Sequence, residues 1–548
     1  MKTISIMFTA MLLCISMVVR AEDALWTKVW GTGEPDHMLS DDAGNIYVSG
    51  YYFDELNIQG EYITNDQGFA AYLAKFSPEG TLLWLSNMTA TGGIYLFGMS
   101  MDNDGNILVT GGALGLLSLG GTQAGNALDN YGRGYVGVYN GDGVCTMIGG
   151  TNGETDVYFI NATQDNEGNY FATGIFSESF YFGATEVTHY DESDALVCSF
   201  DSDMNPMWSK SIGGTGDDAA LNIAIDNDDN IIISGFFSST YLFEEYFFPN
   251  LGYEDLFVLK MEHDGTIIWV KTFGSAESEG QYNCSLALDE AGDVYFGGTM
   301  GEVMTHPGGT TNSYGGSDFF VTKLDKLYGV SDWFQHGGGA EDDAAFGMTL
   351  GNNENLYLFG YFLGAAEIDG LQLLADTDVD GFYAELNRNG GANLVWQTDG
   401  DNAEVVTSLS VDAYNNVVVG GAFDSNIHFE GVGDFNAGAF DFSSFIVKME
   451  TQYTLPETAI QQIADPVLMQ VYPNPVADLL HIEWDAYQNS GYAIAIVDMS
   501  GRVVLQQTIG NAAQSTVDLH GLPAGAYQVS VLSDGNAILC SEHIQVIH

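Results

Sequence analysis

The 548-residue chain has little positive charge. Its 13 Lys and Arg face 74 Asp and Glu, a formal net charge of −61. Phosphate contact needs clustered Lys and Arg, so nucleic acid and anionic membrane surfaces are excluded as partners. Proline is scarce, at 10, whereas glycine reaches 68, a balance that suits many tight turns between short strands. The five cysteines include Cys14 near the N-terminus; the spacing of Cys145, Cys198, Cys284 and Cys540 matches no disulfide framework and no zinc site. They read as small buried side chains. No run approaches the roughly 18 apolar residues of a membrane-spanning helix. No Gly-x-Ser-x-Gly elbow and no His-Glu-x-x-His occurs, and His37, His189, His263, His306, His336 and His428 are scattered. What the chain does have is 46% apolar residues, enough for a core, so it is not a disordered acidic tail.

Residues 1–21 read as a secretory leader: Lys2, an apolar stretch from Ile6 to Val19, and a cleavage site at Val19-Arg20-Ala21. A lipoprotein reading through Cys14 fails because Leu13 precedes it.

Tryptophan sets a period. Trp26, Trp84, Trp208, Trp269, Trp333 and Trp396 share one local context, and Met147 fills the gap. The spacings are 58, 63, 61, 61, 64 and 63 residues, a period that signals a propeller or a solenoid. Each unit carries four short runs rich in Val, Ile, Phe and Tyr, bounded by Gly, Asn and Asp, which is strand chemistry. Residues 220–274 show the pattern: a run, an Asp-rich turn at Asp226, a run ending in Ser234-Gly235-Phe236, about twenty variable residues, a third run from Asp255 to Lys260, and the Trp269 strand. Four antiparallel strands per unit predict seven small sheets arranged radially, a seven-bladed β-propeller. The last unit lacks its Trp strand and the first has a spare one at 25–30, so the N-terminal strand is expected to complete the seventh blade and remove exposed edges. The repeated Trp is expected to pack between blades. Turns such as Asp41-Asp-Ala-Gly-Asn45 and Asp102-Asn-Asp-Gly-Asn106 are hairpin chemistry; Asp102–Asn106 and Asp226–Asn230 have Ala113 and Phe237 where a calcium-binding EF-hand loop carries its distal Glu.

The units resemble the bacterial seven-bladed β-propeller repeats of exported proteins, on Asp42-Ala-Gly-Asn-Ile-Tyr-Val-Ser-Gly50 and Asp318-Phe-Phe-Val-Thr-Lys-Leu324. The resemblance covers roughly 25–450. It implies fold and export, with no shared catalytic residues.

Residues 451–470 read as a linker. Its Leu455-Pro-Glu-Thr-Ala459 is no sortase signal, because the final Gly is replaced and no apolar helix or basic tail follows. Residues 471–548 hold about seven short strands, a small β-sandwich, with seven acids and one base, Arg502. This stretch resembles the type A sorting domain of type IX secretion in Bacteroidetes, through Tyr472-Pro473-Asn474-Pro475, then Asp498, Gly501 and Arg502, then Leu522, Pro523, Gly525 and Tyr527. The resemblance implies the type IX machinery as partner, transit of the outer membrane, and release or attachment at the cell surface. The fold class expected is therefore all-β: a propeller over 22–450, then the sandwich.

In a four-stranded meander the second-to-third and fourth-to-first connections share one end. The long second-to-third connections, roughly 51–69, 112–134, 176–193, 236–254, 299–317, 361–379 and 422–440, are expected to be loops on a rigid scaffold, where binding sites usually sit. At the same end Asp36, Glu154, Asp156, Asp217, Asp218, Glu279, Asp342, Asp343 and Glu404 recur and should ring the channel mouth. As a binding site they would suit a cation such as calcium or a cationic group; the competing reading is that each caps its own turn. No other cofactor is implied. Loop aromatics such as Tyr241, Phe243, Tyr246, Phe247 and Phe248 would stack on sugar rings or pack the blade rims. The chain thus reads as an exported, non-enzymatic binding or adhesion module for a glycan or protein. The alternative is a carbohydrate-active hydrolase or lyase using paired carboxylates at the mouth.

Overall fold

Runs of β-branched and aromatic residues separated by Asp, Asn and Gly have strands as their natural state. The computed structural model describes residues 24–450 and 469–547, apart from 126–130, 153–154, 277–283, 438–441, 485–491, 499–502, 511–513 and 534–537. Among the described residues every regular element is a β-strand, so the chain is all-β. It forms two compact units, Met1–Gln452 and Tyr453–His548. The leader 1–21 and residues 451–468 of the linker lie outside the described residues.

The first unit holds seven antiparallel four-stranded meanders. Sheet 1 spans 35–90, sheet 2 93–150, sheet 3 157–212, sheet 4 218–273, sheet 5 284–339 and sheet 6 344–397. Sheet 7 consists of Glu404–Val411, Val417–Phe423 and Ser443–Met449, with Ala24–Trp30 as its fourth strand, antiparallel to Ser443–Met449. The first strand of each sheet lies against the first strand of the next, and that of sheet 7 against that of sheet 1. Side chains tie these neighbours together. Asn222 Nδ2 donates to Cys284 O at 2.9 Å, and Thr407 Oγ1 and Ser408 Oγ both donate to Pro35 O, at 2.8 and 2.7 Å.

The core fills the spaces between sheets. Ile232 and Val258 of sheet 4, for example, pack with Val294, Phe296 and Phe320 of sheet 5. Cys145, Cys198 and Cys284 are buried free thiols.

Each Trp strand reaches into the following sheet. Trp26, Trp84 and Trp333 donate their indole N–H to Pro78 O, Gly141 O and Arg388 O at 3.0 Å, and Trp269 to Lys326 O at 3.4 Å. These carbonyls belong to the turn before the next sheet's fourth strand. A glycine in that turn lies under the ring: a Cβ on Gly390, at φ +83, would come within 2.7 Å of Trp333. Trp396 keeps the period but not the position. Leu394 takes the slot opposite Glu385, and Trp396 lies two residues on, buried against Tyr383 at 5.5 Å. Truncating Trp269, which is 5% exposed, should cost about 3–5 kcal/mol as Ala. As Phe, losing the hydrogen bond and part of the ring volume, it should cost less, about 1–3 kcal/mol; urea unfolding of the two variants measures both.

The expected loops between second and third strands are hairpins in all seven sheets. In sheets 1 and 6 the two strands simply extend, as Ile46–Ile58 with Glu61–Phe76 and Leu356–Ile368 with Leu371–Leu386. In sheets 3, 4 and 5 small separate ribbons form, such as Phe180–Phe182 with Thr185–Val187; in sheet 2 the ribbon adds to the fourth strand of sheet 1 through Leu117–Leu119, and in sheet 7 it pairs with Asp399–Gly400. Alternation is the cause. Phe180, Phe182 and Val187 point inward and are 3–4% exposed, while Tyr181 between them is 54% exposed.

The second unit packs a three-stranded sheet, Met469–Tyr472, Leu479–Trp484 and Gln514–Asp518, with a four-stranded one built from Val503–Gly510, Tyr492–Asp498, Gly525–Ser533 and Ile538–Val546. Leu480, Ile482 and Val517 of the first meet Ile494, Ile496, Val529 and Val531 of the second in one core.

Candidate binding site

Most of the acids expected at the channel mouth are engaged by nearby loops: two by their own, three by the connection between second and third strands of the preceding sheet. Asp218 Oδ2 accepts the Gly214 amide at 2.8 Å, and Asp343 Oδ2 that of Gly339 at 2.6 Å, each four residues back. Asp343 Oδ1 also takes the Leu363 amide at 2.9 Å. Three acids that open third strands repeat the geometry: Asp194 with Tyr190, Asp255 with Leu251, Asp318 with Tyr314. Asp217 accepts Ser193 Oγ at 2.6 Å, Asp342 both the amide and hydroxyl of Ser317, and Asp156 the Gly132 amide. Glu404 is fully buried between Asp380 and Asp424. Glu154 and Glu279 lie outside the described residues. The predicted acids meet, among the described residues, only as chain neighbours, Asp217 with Asp218 and Asp342 with Asp343. Among the described residues no three His, Cys, Asp or Glu converge as a metal site.

Burial leaves its mark on their titration. It pushes Glu404 up to about 8, helped by the charges of Asp380 and Asp424, and Asp218 and Asp36 up to about 7, helped by Asp194 and Glu34 respectively. In the unfolded chain such carboxyls titrate near 4. The folded chain therefore binds more protons between those values, and its stability falls as pH rises through the window. Histidines held neutral by burial (His37, down to about 4, with His306 and His336) oppose this only below about pH 6.5, where the unfolded chain would charge them. From pH 6.5 to 8.5 the acids act unopposed, and stability should fall by on the order of 2 kcal/mol. Glu404→Gln should flatten that slope and be more stable than the parent at pH 8.5. A set of melting curves across the range checks it.

A different row of residues is set by the backbone. In six of the seven first strands the pairing with the second strand skips one residue, a β-bulge. The skipped residues are Asp36, Phe97, Ile160, Leu221, Phe346 and Thr407. Opposite each bulge the second strand carries glycine, at 50, 111, 174, 235, 360 and 421. A Cβ there would lie 1.8–2.1 Å from a first-strand carbonyl oxygen. This explains the Ser-Gly-Phe run: glycine is the residue over which the bulged strand can close.

In sheets 1 to 3 the row carries chemistry. Bulge residues Asp36, Phe97 and Ile160 lie beside residues two positions earlier, Glu34, Tyr95 and Tyr158. The Tyr95 and Phe97 rings are parallel, 1° apart in plane and 6.0 Å between centres. Tyr158 stands edge-on to both at 5.8 and 6.1 Å. Tyr95 and Phe97 remain 41% and 39% exposed. Tyr51 joins this group to Asp36. Its hydroxyl donates to Leu96 O at 2.6 Å, between the two rings, and burial and then the charge of Asp36 hold its pKa well above the usual range. Asp156 lies beside Tyr158. Asp36 Oδ2 is shut off from solvent and has no hydrogen-bond partner.

Sequence reasoning named Asp36 and Asp156 but missed Tyr51, Tyr95, Phe97 and Tyr158. The signal was there: Tyr95 and Tyr158 occupy a repeat position that holds Ala219 in sheet 4 and Ala344 in sheet 6. The loop aromatics singled out instead are mostly packing. Phe243 and Phe248 are buried and Tyr241 stacks on Phe248 at 4.7 Å; Phe247 is exposed.

In the second unit the motif residues hold the module together. Asn474 Oδ1 accepts the Gln545 amide at 2.8 Å, and the Val476 amide bonds to Gln545 O, tying the Tyr-Pro-Asn-Pro segment to the last strand. Tyr527, 5% exposed, donates its hydroxyl to Pro523 O at 2.9 Å, while its backbone pairs with Asp498. Gly501 and Arg502 lie outside the described residues.

Fold and site together define an all-β protein with an appended β-rich tail. The family described as the secretion system C-terminal sorting domain matches residues 470–543, the type IX signal for export to the cell surface or secretion, which makes the secretion machinery the tail's partner. No curated protein matches the chain. Among solved structures, a fungal alcohol oxidase of the AA5 family in complex with copper is 11% identical, covering 96% of this chain and 100% of that one, with a TM-score of 0.40. A DUF4221 family member from Bacteroides vulgatus is 9% identical over 79% and 97%, with a TM-score of 0.34. PorZ, a surface component of the type IX secretion system of Porphyromonas gingivalis, is 11% identical over 95% and 100%, with a TM-score of 0.17.

Proposed function

We propose that the first unit is a seven-bladed β-propeller acting as an extracellular binding protein, delivered by the sorting tail and, in its mature form, engaging a ligand outside the cell without turning it over. The cyclic order of first strands supports the propeller, since first strands line the axis of such a fold. The observation that carries the binding role is the open Tyr95–Phe97 pair, two large aromatics held near 40% exposure by a backbone device that elsewhere carries mostly smaller or more buried side chains. Exposed aromatics rimmed by polar groups mark interaction sites. The purified chain should be retained on some of a panel of immobilised extracellular polymers, both polysaccharides and matrix proteins, and release no fragments from them. Retention on none contradicts the binding role; released fragments favour catalysis.

A further inference from the structure

We infer that the row of residues Glu34, Asp36, Tyr51, Tyr95, Phe97 and Tyr158 is a carbohydrate subsite for neutral or amino-bearing pyranose rings. This rests on the binding role proposed above and supplies its ligand class.

Three observations lead there. First, Tyr95 and Phe97 lie parallel and each about 40% exposed, and exposed aromatic surface is suited to the C–H face of a pyranose ring, which aliphatic side chains would not match. Second, the pair is rigid. Tyr158 braces both rings edge-on, Tyr51 is bonded to the backbone between them, and the Phe97 bulge is locked by Gly111, whose Cβ would meet Tyr95 O at 1.8 Å. A preorganised platform loses little freedom on binding. Third, an acceptor waits beside it. Asp36 sits in the neighbouring first strand at the same bulge position, its Oδ2 buried and without a partner, with Glu34 exposed two residues away. Glu34, which is exposed, and the partly exposed Asp36 carboxylate offer acceptors to a sugar hydroxyl or to the ammonium of an amino sugar.

Charge narrows the class. With a formal net charge of −61 and Glu34 and Asp36 in the row, uronic acids and sulfated glycans are repelled. An ammonium-bearing glycan gains from the same field.

The test uses the full chain and three hexasaccharide probes: neutral N-acetylglucosamine, cationic glucosamine and anionic galacturonate oligomers, titrated calorimetrically. Binding of the neutral or the cationic oligomer, with no binding of the anionic one, is expected. Phe97→Ala and Tyr95→Ala should each weaken it at least tenfold with an unchanged melting temperature. Phe97→Tyr, which keeps a ring, should stay within about threefold of the parent. Asp36→Asn should weaken the cationic oligomer more than the neutral one. The inference fails if neither the neutral nor the cationic oligomer binds, if the anionic oligomer binds as well as they do, or if binding survives loss of both rings. Should the chain bind immobilised matrix proteins and no sugar, the subsite is refuted while the binding role stands; should it bind no polymer at all, both fall.

Discussion

Replacing Gly235 with alanine should cost on the order of 3 kcal/mol or more, enough to unfold a marginal protein. The added methyl would lie 1.9 Å from Ala219 O and 2.9 Å from the carbonyl carbon behind it. Both are backbone atoms inside a four-stranded sheet, so no side chain can swing aside, and overpacking of this kind forces the main chain itself to move. The effect comes wholly from close approach, since Gly235 is not in the left-handed region. Because the arrangement recurs in five other sheets, Gly174→Ala and Gly360→Ala should behave alike. Chemical denaturation gives the number, and a loss under 1 kcal/mol at all three would show that the bulges are not fixed as described.

The second large effect is expected at Asp226. Its Oδ2 lies 2.6 Å from Lys260 Nζ, and both side chains are about 95% or more shielded from solvent. Lys260 also donates to Lys326 O in the next sheet at 3.0 Å, and Asp226 Oδ1 accepts the amides of Asp228 and Asn230. Removing the carboxylate strands a buried ammonium, so Asp226→Ala should cost about 3–5 kcal/mol. Asp226→Ala combined with Lys260→Met should recover much of it, since a buried pair replaced by apolar side chains is often near neutral. Sheet 7 repeats the pair as Asp412 with Lys448 at 2.8 Å. Sheet 6 is the natural control: Gly351 stands where the Asp would be and Glu385 where the Lys would be, so both partners changed together. Glu385 there is satisfied by Asn355 and Asn393. A double-mutant cycle read from unfolding free energies decides it.

The strands, their meander order and the tail were legible because alternation, turn residues and tryptophan spacing are local signals. The spare Trp strand at 25–30 stood out the same way, and it does pair with Ser443–Met449. Side-chain roles were harder to see. Asp218 and Asp343 read from sequence either as members of an acidic ring or as caps of their own turns; each does spend an oxygen on an amide four residues back, a contact that depends on how the loop folds over. The row was hidden because a bulge has no residue signature of its own on the strand that carries it. Its mark lies on the partner strand, in the glycine of Ser-Gly-Phe, and only the register shows that this glycine faces Phe97 in one sheet and Asp36 in another. Trp396 misled through its neighbourhood: its strand is offset by two residues, so the tryptophan keeps the period while Leu394 takes the position.

The acid excess, too, means something more specific in the structure. Much of it is spent internally, on turns such as Asp41 to Asn45 and on loop amides, and only part is left to shape what approaches from solvent. That division explains how so acidic a chain keeps a packed core.

The most direct test of the account is hydrogen exchange on the full chain, read by mass spectrometry over residues 24–30. If the N-terminal strand closes the seventh sheet, as its ladder with Ser443–Met449 requires, its amides should exchange as slowly as those of 443–449, and both should open together in mild denaturant. Exchange over 24–30 at the rate of a free peptide, while 443–449 stays protected, would contradict the ring on which the proposed propeller and its binding face depend.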